Sequence, residues 1–422
     1  MNMRIVMAGA LTLGAAITVI VPAHGQDVLI RGAQVHTAGD AGTLEDSDVR
    51  VRGGRIVAVG KGLPVEVGVE VVEAAGRPLT PGLFAGISNI GLSEVMDDDI
   101  QFKLNLAAPA YDQRWRPEFD VGLAFNPRSV VVPVTRTEGI TWTVLAPVAE
   151  DSILAGQGMA VTLDGRYDAE LPGSRSLFVD WTGPSAKNGG TRAGLFMLFE
   201  QALRETRLSG PMGHGMLLQP AGREALKSYL GDRRVVFGVG RAVDIVRLLE
   251  LARRHDIRPI IGGGTEAWMV ADQLARADVP VILHPHSNLP FGFSQGTLDN
   301  ARILHEAGVR IVFTSGHLHN ARTIRQVAGN AVAQGVPWEV ALQAVTSTAA
   351  DVFGLGDTHG QIAVGRQADL VLWDGDPLEL TTQAQHVWIA GRTVEMRSRQ
   401  TKLRDRYLQR LRMNRLLTGV EP

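Results

Sequence analysis

Residues 235–261 read VVFGVGRAVDIVRLLELARRHDIRPII, and the order of patterns inside them decides the architecture. An apolar run at Val235 to Val239 is followed by Arg241 to His255, where Ile245, Val246, Leu248 and Leu249 recur at helical spacing, and then by a second apolar run at Pro259 to Ile261. Two strands joined through a helix lie parallel, because the crossover returns the chain to the end of the sheet where it began. The same alternation extends on both sides. Apolar runs stand at Leu83 to Ile87, Thr141 to Leu145, Met159 to Leu163, Ser176 to Trp181, Val279 to Leu283 and Val309 to Phe313. Helical patterns cover Glu266 to Arg276, Ala321 to Gln334 and Trp338 to Phe353, the last opened by Pro337. Eight such runs within residues 81–355 predict an α/β fold, a (β/α)8 TIM-like barrel, ahead of an open doubly wound sheet. Residues 101–135 fit neither pattern and predict a long excursion after the first strand.

The flanks of this region are β in character. Val28, Ile30 and Val35, then Val49 and Val51, then Ile56 to Val59 alternate, with Gly53-Gly54 as a two-residue hairpin turn. A second block spans Gln361 to Met396, with runs at Ala368 to Trp373 and His386 to Ala390 and a turn at Gly391-Arg392. Neither block has enough strands for a sandwich of its own. The expected organisation is therefore a small β-sandwich domain formed by the N- and C-terminal segments, 26–80 and 356–396, flanking a barrel at 81–355. A basic helix at 397–422 follows.

Composition narrows the chemistry. Among 422 residues, 45% are hydrophobic and 20% charged, as in a globular protein. Forty-two Lys and Arg against 44 Asp and Glu leave a net charge of -2, which gives no global attraction to nucleic acid. No cysteine is present, so disulfides, thiolate metal sites and a Cys nucleophile are excluded, and metal chemistry would fall to His, Asp, Glu and Lys. At the start, Arg4, the uncharged stretch Ile5 to Ala23 and the small residues of Ala23-His24-Gly25 form a signal peptide pattern at 1–25, with cleavage near Gly25 and a periplasmic or secreted product. An uncleaved anchor is the alternative.

Two motifs at opposite ends of the barrel region resemble the boundaries of the amidohydrolase superfamily, in its imidazolonepropionase-like branch. These are Leu79-Thr80-Pro81-Gly82-Leu83-Phe84 and Gly360-Gln361-Ile362-x-x-Gly365-Arg366-x-Ala368-Asp369-Leu370-Val371-Leu372-Trp373, with Glu138-Gly139-Ile140-Thr141 and His319-Asn320-Ala321-Arg322 between them. The resemblance implies a barrel with a β-sandwich built from both termini, and hydrolysis of amide-type C–N bonds by water activated on one or two divalent ions. The family's ligands are a His-x-His pair on the first strand, an acid or lysine on the fourth, histidines on the fifth and sixth, and an Asp on the eighth. On the matching positions this chain has Ile87 and Asn89, then Gly238, Gly263 and Gly316. None of the five lysines ends a fourth strand. Isoleucine has no donor atom, glycine offers only its carbonyl, and an amide is a weak ligand for a transition metal. The expectation is a divergent member with a degenerate metal site.

A replacement set is visible at the same mouth. His284-Pro285-His286 ends one strand run and His317-Leu318-His319 follows the next. Residues two apart on a strand share a face and adjacent strands are about 4.8 Å apart, so four imidazoles would converge on a divalent metal such as Zn²⁺ at a non-standard site, or serve proton transfer. Against this, Pro285 would break the strand and His319 would anchor the next helix. Glu266 is a candidate acid/base or a helix-start residue. Arg241 would bind an anionic substrate group or pair with Asp244, and Asn320 is a weaker contact candidate. Asp97-Asp98-Asp99 with Glu94 lacks a calcium-loop spacing. The glycine turns lack the remainder of a nucleotide fingerprint, and no Gly-x-Ser-x-Gly elbow occurs. In the tail, eight basic residues face one acid, and Leu403, Tyr407, Leu408 and Leu411 suggest a helix packed on the body or on a second subunit rather than on a membrane.

Two functions follow as expectations. One is an exported amidohydrolase-like enzyme with an altered site. The other is a non-catalytic protein that binds a small molecule in the barrel mouth, as a homo-oligomer or paired with an intact relative.

Overall fold

The computed structural model describes residues 26–92, 115–148, 152–182, 190–211, 213, 215–284, 294–315 and 321–418. The eight apolar runs become the eight strands of one sheet: β6 (Leu83–Ser88), β7 (Ile140–Leu145), β8 (Leu154–Thr162), β9 (Ser176–Asp180), β10 (Arg234–Val239), β11 (Arg258–Gly263), β12 (Val281–Leu283) and β13 (Ile311–Phe313). Their order in space is their order in sequence. The ladder does not link β13 to β6, yet the two are neighbours, because the Ile87 N–H donates to Thr314 Oγ1 at 3.1 Å and Ser315 Oγ donates to the Ala85 carbonyl at 2.9 Å. The sheet is thus a nearly closed barrel.

Gly86 makes that closure possible. Its φ is +94°, and a Cβ there would stand 2.4 Å from Thr314 Oγ1 and 2.8 Å from Thr314 Cα, so only glycine lets the two strands approach.

One feature departs from a strict (β/α)8 pattern. β8 runs antiparallel to both β7 and β9, while the other seven strands are parallel. The physical reason is the connection: between Leu145 and Leu154 the chain is too short for a helical crossover, so it reverses as a hairpin. Helices flank the remaining strands. Among them are α1 (Val131–Arg136), α2 (Arg192–Glu205), α3 (Pro220–Ser228), α4 (Ala242–His255), α5 (Ala271–Arg276), α6 (Asn300–Glu306), α7 (Ile324–Ala333), α8 (Trp338–Ala344) and α9 (Ser347–Val352).

Alternation along the strands divides the core in two. Val235, Phe237, Ile261, Val281, Leu283, Ile311 and Phe313 face the helices. Phe84, Trp142, Val144, Phe178, Val236, Ile260, Ile282 and Val312 fill the lumen, which Ala349, Val352 and Phe353 stopper from α9 and the residues after it. Phe84 stacks on Trp142 with ring centroids 4.3 Å apart. Each fully buried large apolar side chain contributes roughly 1.5–3 kcal/mol, so the lumen is a packed core and not a channel.

Both chain ends build a second sheet, from β1 (Val28–His36), β2 (Thr43–Arg52), β3 (Arg55–Gly60), β4 (Glu70–Glu73), β5 (Pro78–Pro81), β14 (Leu370–Trp373), β15 (Ala384–Ile389) and β16 (Arg392–Thr393). In place of two separately bonded layers there is one hydrogen-bonded sheet, with β5 paired to both β1 and β14. It curls until its ends meet: the Ile56 N–H donates to the Arg366 carbonyl and the Ala368 N–H to the Gly54 carbonyl, each at 2.9 Å. The final helix, α10 (Arg399–Thr418), leaves Tyr407 58% and Leu411 56% exposed, so those side chains do not pack on the body as the sequence suggested. No helix among the described residues is long and apolar enough to cross a membrane.

Candidate functional site

The site lies at the C-terminal ends of the parallel barrel strands, where loops rather than the ladder set the side chains. Continuing the lumen-facing alternation of Phe178, Val236, Ile260, Ile282 and Val312 by two residues brings Asp180, Gly238, Gly262, His284 and Thr314 into one layer above the packed core. Ile87 packs against the same lumen cluster. This layer is the floor of the mouth.

Several sequence candidates take definite places. Ile87 and Gly238 are on the lumen side. Gly263 is not: the register sets Gly238 beside Gly262 and Gly263 beside Val239, which belongs to the core facing the helices. The fifth- and sixth-strand positions that share a face are therefore Gly238 and Gly262. A Cβ at Gly262 would meet its nearest atom, the Phe237 carbonyl oxygen, at an ordinary 3.5 Å, whereas one at Gly238 would press on Asp180 Oδ1 at 3.3 Å. Asn89 lies just past the end of β6, and its carbonyl accepts from Leu92 N–H at 2.9 Å.

Glu266 is 8% exposed, and both carboxylate oxygens are used. Oε2 accepts from the Ala242 N–H at 3.0 Å and Oε1 from the Gln295 N–H at 3.1 Å. It caps the start of the neighbouring α4, not its own following turn, and ties down the chain at Gln295. An acid/base role is not what this geometry serves. Arg241 is exposed at the N-cap position of α4 and has no side-chain partner among the described residues. Its expected partner Asp244 is instead paired with Arg192.

His284 is half-buried in the mouth layer. His286, Gly316, His317, His319 and Asn320 lie outside the described residues, as do Glu94, Asp97 to Asp99 and residues 1–25, where the signal peptide was expected. Among the described residues no group of three or more His, Asp or Glu is placed to hold a metal ion.

Asp180 is the mouth residue that motif reading missed. Its Oδ1 accepts from Thr182 N at 2.8 Å and from Thr182 Oγ1 at 2.7 Å, which holds the half-buried carboxylate at the strand end. The available signal was positional: a single acid near the C-terminal end of an apolar run, two residues after a lumen-facing Phe178.

A buried titratable pair lies elsewhere. His359 Nε2 stands 4.0 Å from Asp369 Oδ2, and the Asp369 backbone carbonyl accepts from Gly82 N–H, at the entrance to the barrel and not at its mouth. Burial lowers the imidazole pKa and raises that of the carboxyl. The pair joins the curled sheet to the first barrel strand.

Comparison with known proteins agrees with this geometry. The amidohydrolase family is matched over residues 313–395. Amidohydrolase tasK of Hapsidospora irregularis is 34% identical over 97 residues, which is 23% of this chain and 10% of that relative. An amidohydrolase from Thermotoga maritima superposes with a TM-score of 0.74 at 23% identity, covering 88% of this chain and 100% of the other. A prolidase complexed with N-methylphosphonate-L-proline gives 0.54 at 17% identity, covering 88% of this chain and 100% of the other. N-isopropylammelide isopropylaminohydrolase from Burkholderia multivorans gives 0.50 at 16%, covering 87% and 98%. Residues 313–395 thus match the amidohydrolase family, and the chain as a whole shares the barrel fold of the Thermotoga maritima amidohydrolase.

Proposed function

We propose that this chain is an exported, divergent amidohydrolase-superfamily protein whose inherited reaction is hydrolysis of amide, cyclic amide or dipeptide-like C–N bonds, and whose mouth now serves mainly to bind a small molecule. The observation that carries this reading is the identity of the lumen-facing layer: Ile87, Gly238 and Gly262 stand where water-activating ligands would have to converge. Without donors there, the acidity of a bound water is not shifted toward neutrality. The space left at Gly262, with the Asp180 carboxylate and the exposed Arg241 guanidinium at the rim, suits recognition of a small polar ligand.

A second reading, an active hydrolase with a rebuilt site, is favoured by the place of His284 in the same layer. It requires His286, His317 and His319 to complete a set with His284. One experiment separates the two. Untagged protein is analysed for metal and assayed on a panel of simple amides, cyclic amides and dipeptides, including an Xaa-Pro dipeptide. Folded protein that is inert and holds well below one equivalent of Zn²⁺ supports the binding protein. About one equivalent of Zn²⁺, lost together with turnover in His284→Ala plus His317→Ala, supports the enzyme. Export is checked separately by N-terminal sequencing of the secreted product, with cleavage near Gly25 as the expected result. Size measurement in solution tests self-association or pairing with an intact relative.

A further inference from the structure

At the opposite end of the barrel, β10 and β11 begin with arginines and a third arginine immediately precedes β13. Arg234, Arg258 and Arg310 have the lumen parity of Val236, Ile260 and Val312, so they form the layer beneath the apolar plug. A cavity of about 400 Å³ opens there, and Arg234, Arg258 and Arg310 line it together with Asp232, Asp256 and Asp278. Arg234 and Arg258 are direct partners in the parallel register. Like charges side by side on adjacent strands are unfavourable unless something opposes them.

The protein's own acids do not neutralise this pair. Asp278 is engaged by Arg310, whose Nη2 donates to its carboxylate at 3.0 Å. Asp232 and Asp256 line the cavity, but both are exposed and neither forms an ion pair with Arg234 or Arg258 among the described residues. Arg258 has no side-chain partner at all among them. The Arg234 pKa is lowered by burial and then by Arg258, with no carboxylate acting against either. Arg234 is also held in place. Its Nη1 donates to the Gly173 carbonyl at 2.9 Å, and it packs so closely on Gly354, where φ is +75°, that no Cβ would fit there.

We infer that this cavity is an anion site for a phosphate dianion, free or as the head of a small phosphomonoester, gripped by Arg234, Arg258 and Arg310. Guanidinium forks from the paired strands β10 and β11, with a third from the start of β13 one strand further on, can share the oxygens of a tetrahedral dianion, and a cavity of this size accepts a small organic phosphate.

The test is isothermal titration of the full chain with inorganic phosphate at fixed ionic strength, with phenyl phosphate as the second ligand. Saturable one-to-one binding is expected, weakened at least tenfold in Arg258→Gln, reduced less in Arg258→Lys, and unchanged in Arg410→Gln on the exposed final helix. Tighter binding of phenyl phosphate would identify an organic phosphate as the ligand, and equal binding would identify the free ion. Because Arg258 is exposed, its substitution should leave the melting temperature without phosphate unchanged, and phosphate should raise that temperature only in protein that retains the site. Absence of saturable binding, or binding of equal strength in Arg258→Gln, overturns the inference.

Discussion

Glu266 shows how a residue with catalytic credentials acquires a structural task. Its carboxylate receives two backbone N–H groups, one from the first turn of α4 and one from Gln295. Charge-assisted bonds of this kind contribute about 1.5–3 kcal/mol each, because the unpaired donors would otherwise stay buried. Glu266→Ala should therefore lower the stability of the folded chain by about 2–4 kcal/mol in urea denaturation, and Glu266→Gln, which keeps one carbonyl oxygen, by roughly half as much. An unchanged midpoint in both variants would remove the capping role. At the same scale, Gly263 and Gly262 differ by one position and face opposite ways, since strand alternation turns every second residue from the lumen to the helices.

At the scale of single elements, β1 carries the docking of the curled sheet onto the barrel. His36 at its end bonds through Nδ1 with Thr43 Oγ1 at 2.9 Å and lies 4.6 Å, ring to ring, from Trp338 of α8. Burial lowers the His36 pKa, outweighing the opposing pull of Asp376, Glu45 and Glu339. The unfolded chain therefore takes up a proton near the ordinary value of about 6.5, where the folded chain resists it. Stability is complete above that pH and declines as pH falls through it. Comparing wild type with His36→Gln isolates this share: between pH 7.5 and 5.5 the variant should lose less melting temperature than wild type. Parallel declines would exclude His36 as the proton-linked group. β8 makes a related point, because its apolar run announced a strand but not its direction.

Across the whole molecule, one buried cation joins the barrel to the C-terminal strands. Arg325 of α7 donates from Nε to the Pro377 carbonyl at 2.8 Å and from Nη2 to the Thr382 carbonyl at 2.7 Å, with a further bond to the Glu379 carbonyl. Its guanidinium lies 4.8 Å from the Trp373 ring centroid. Removing it strands three carbonyls in a buried site, so Arg325→Met should cost about 3 kcal/mol or more, read as a lower urea midpoint. A near-neutral Arg325→Met would mean that the two sheets are coupled elsewhere. Within the curled sheet itself, Trp373 of β14 donates from Nε1 to Thr80 Oγ1 of β5 at 2.8 Å.

What the amino-acid order determined by itself was periodicity: eight apolar runs with helices between most of them, two β blocks at the ends, and boundary motifs that resemble one superfamily. These are local properties, carried by neighbours in the chain. It also determined that Ile87 and Gly238 cannot ligate a metal through side chains in any fold. Only the tertiary structure decided that β8 is antiparallel, that Gly262 rather than Gly263 shares the lumen face with Gly238, that Glu266 serves α4, and that three arginines far apart in sequence meet beneath the barrel. Register and closure depend on contacts between segments tens to hundreds of residues apart, such as Gly86 against Thr314, and no local pattern encodes them.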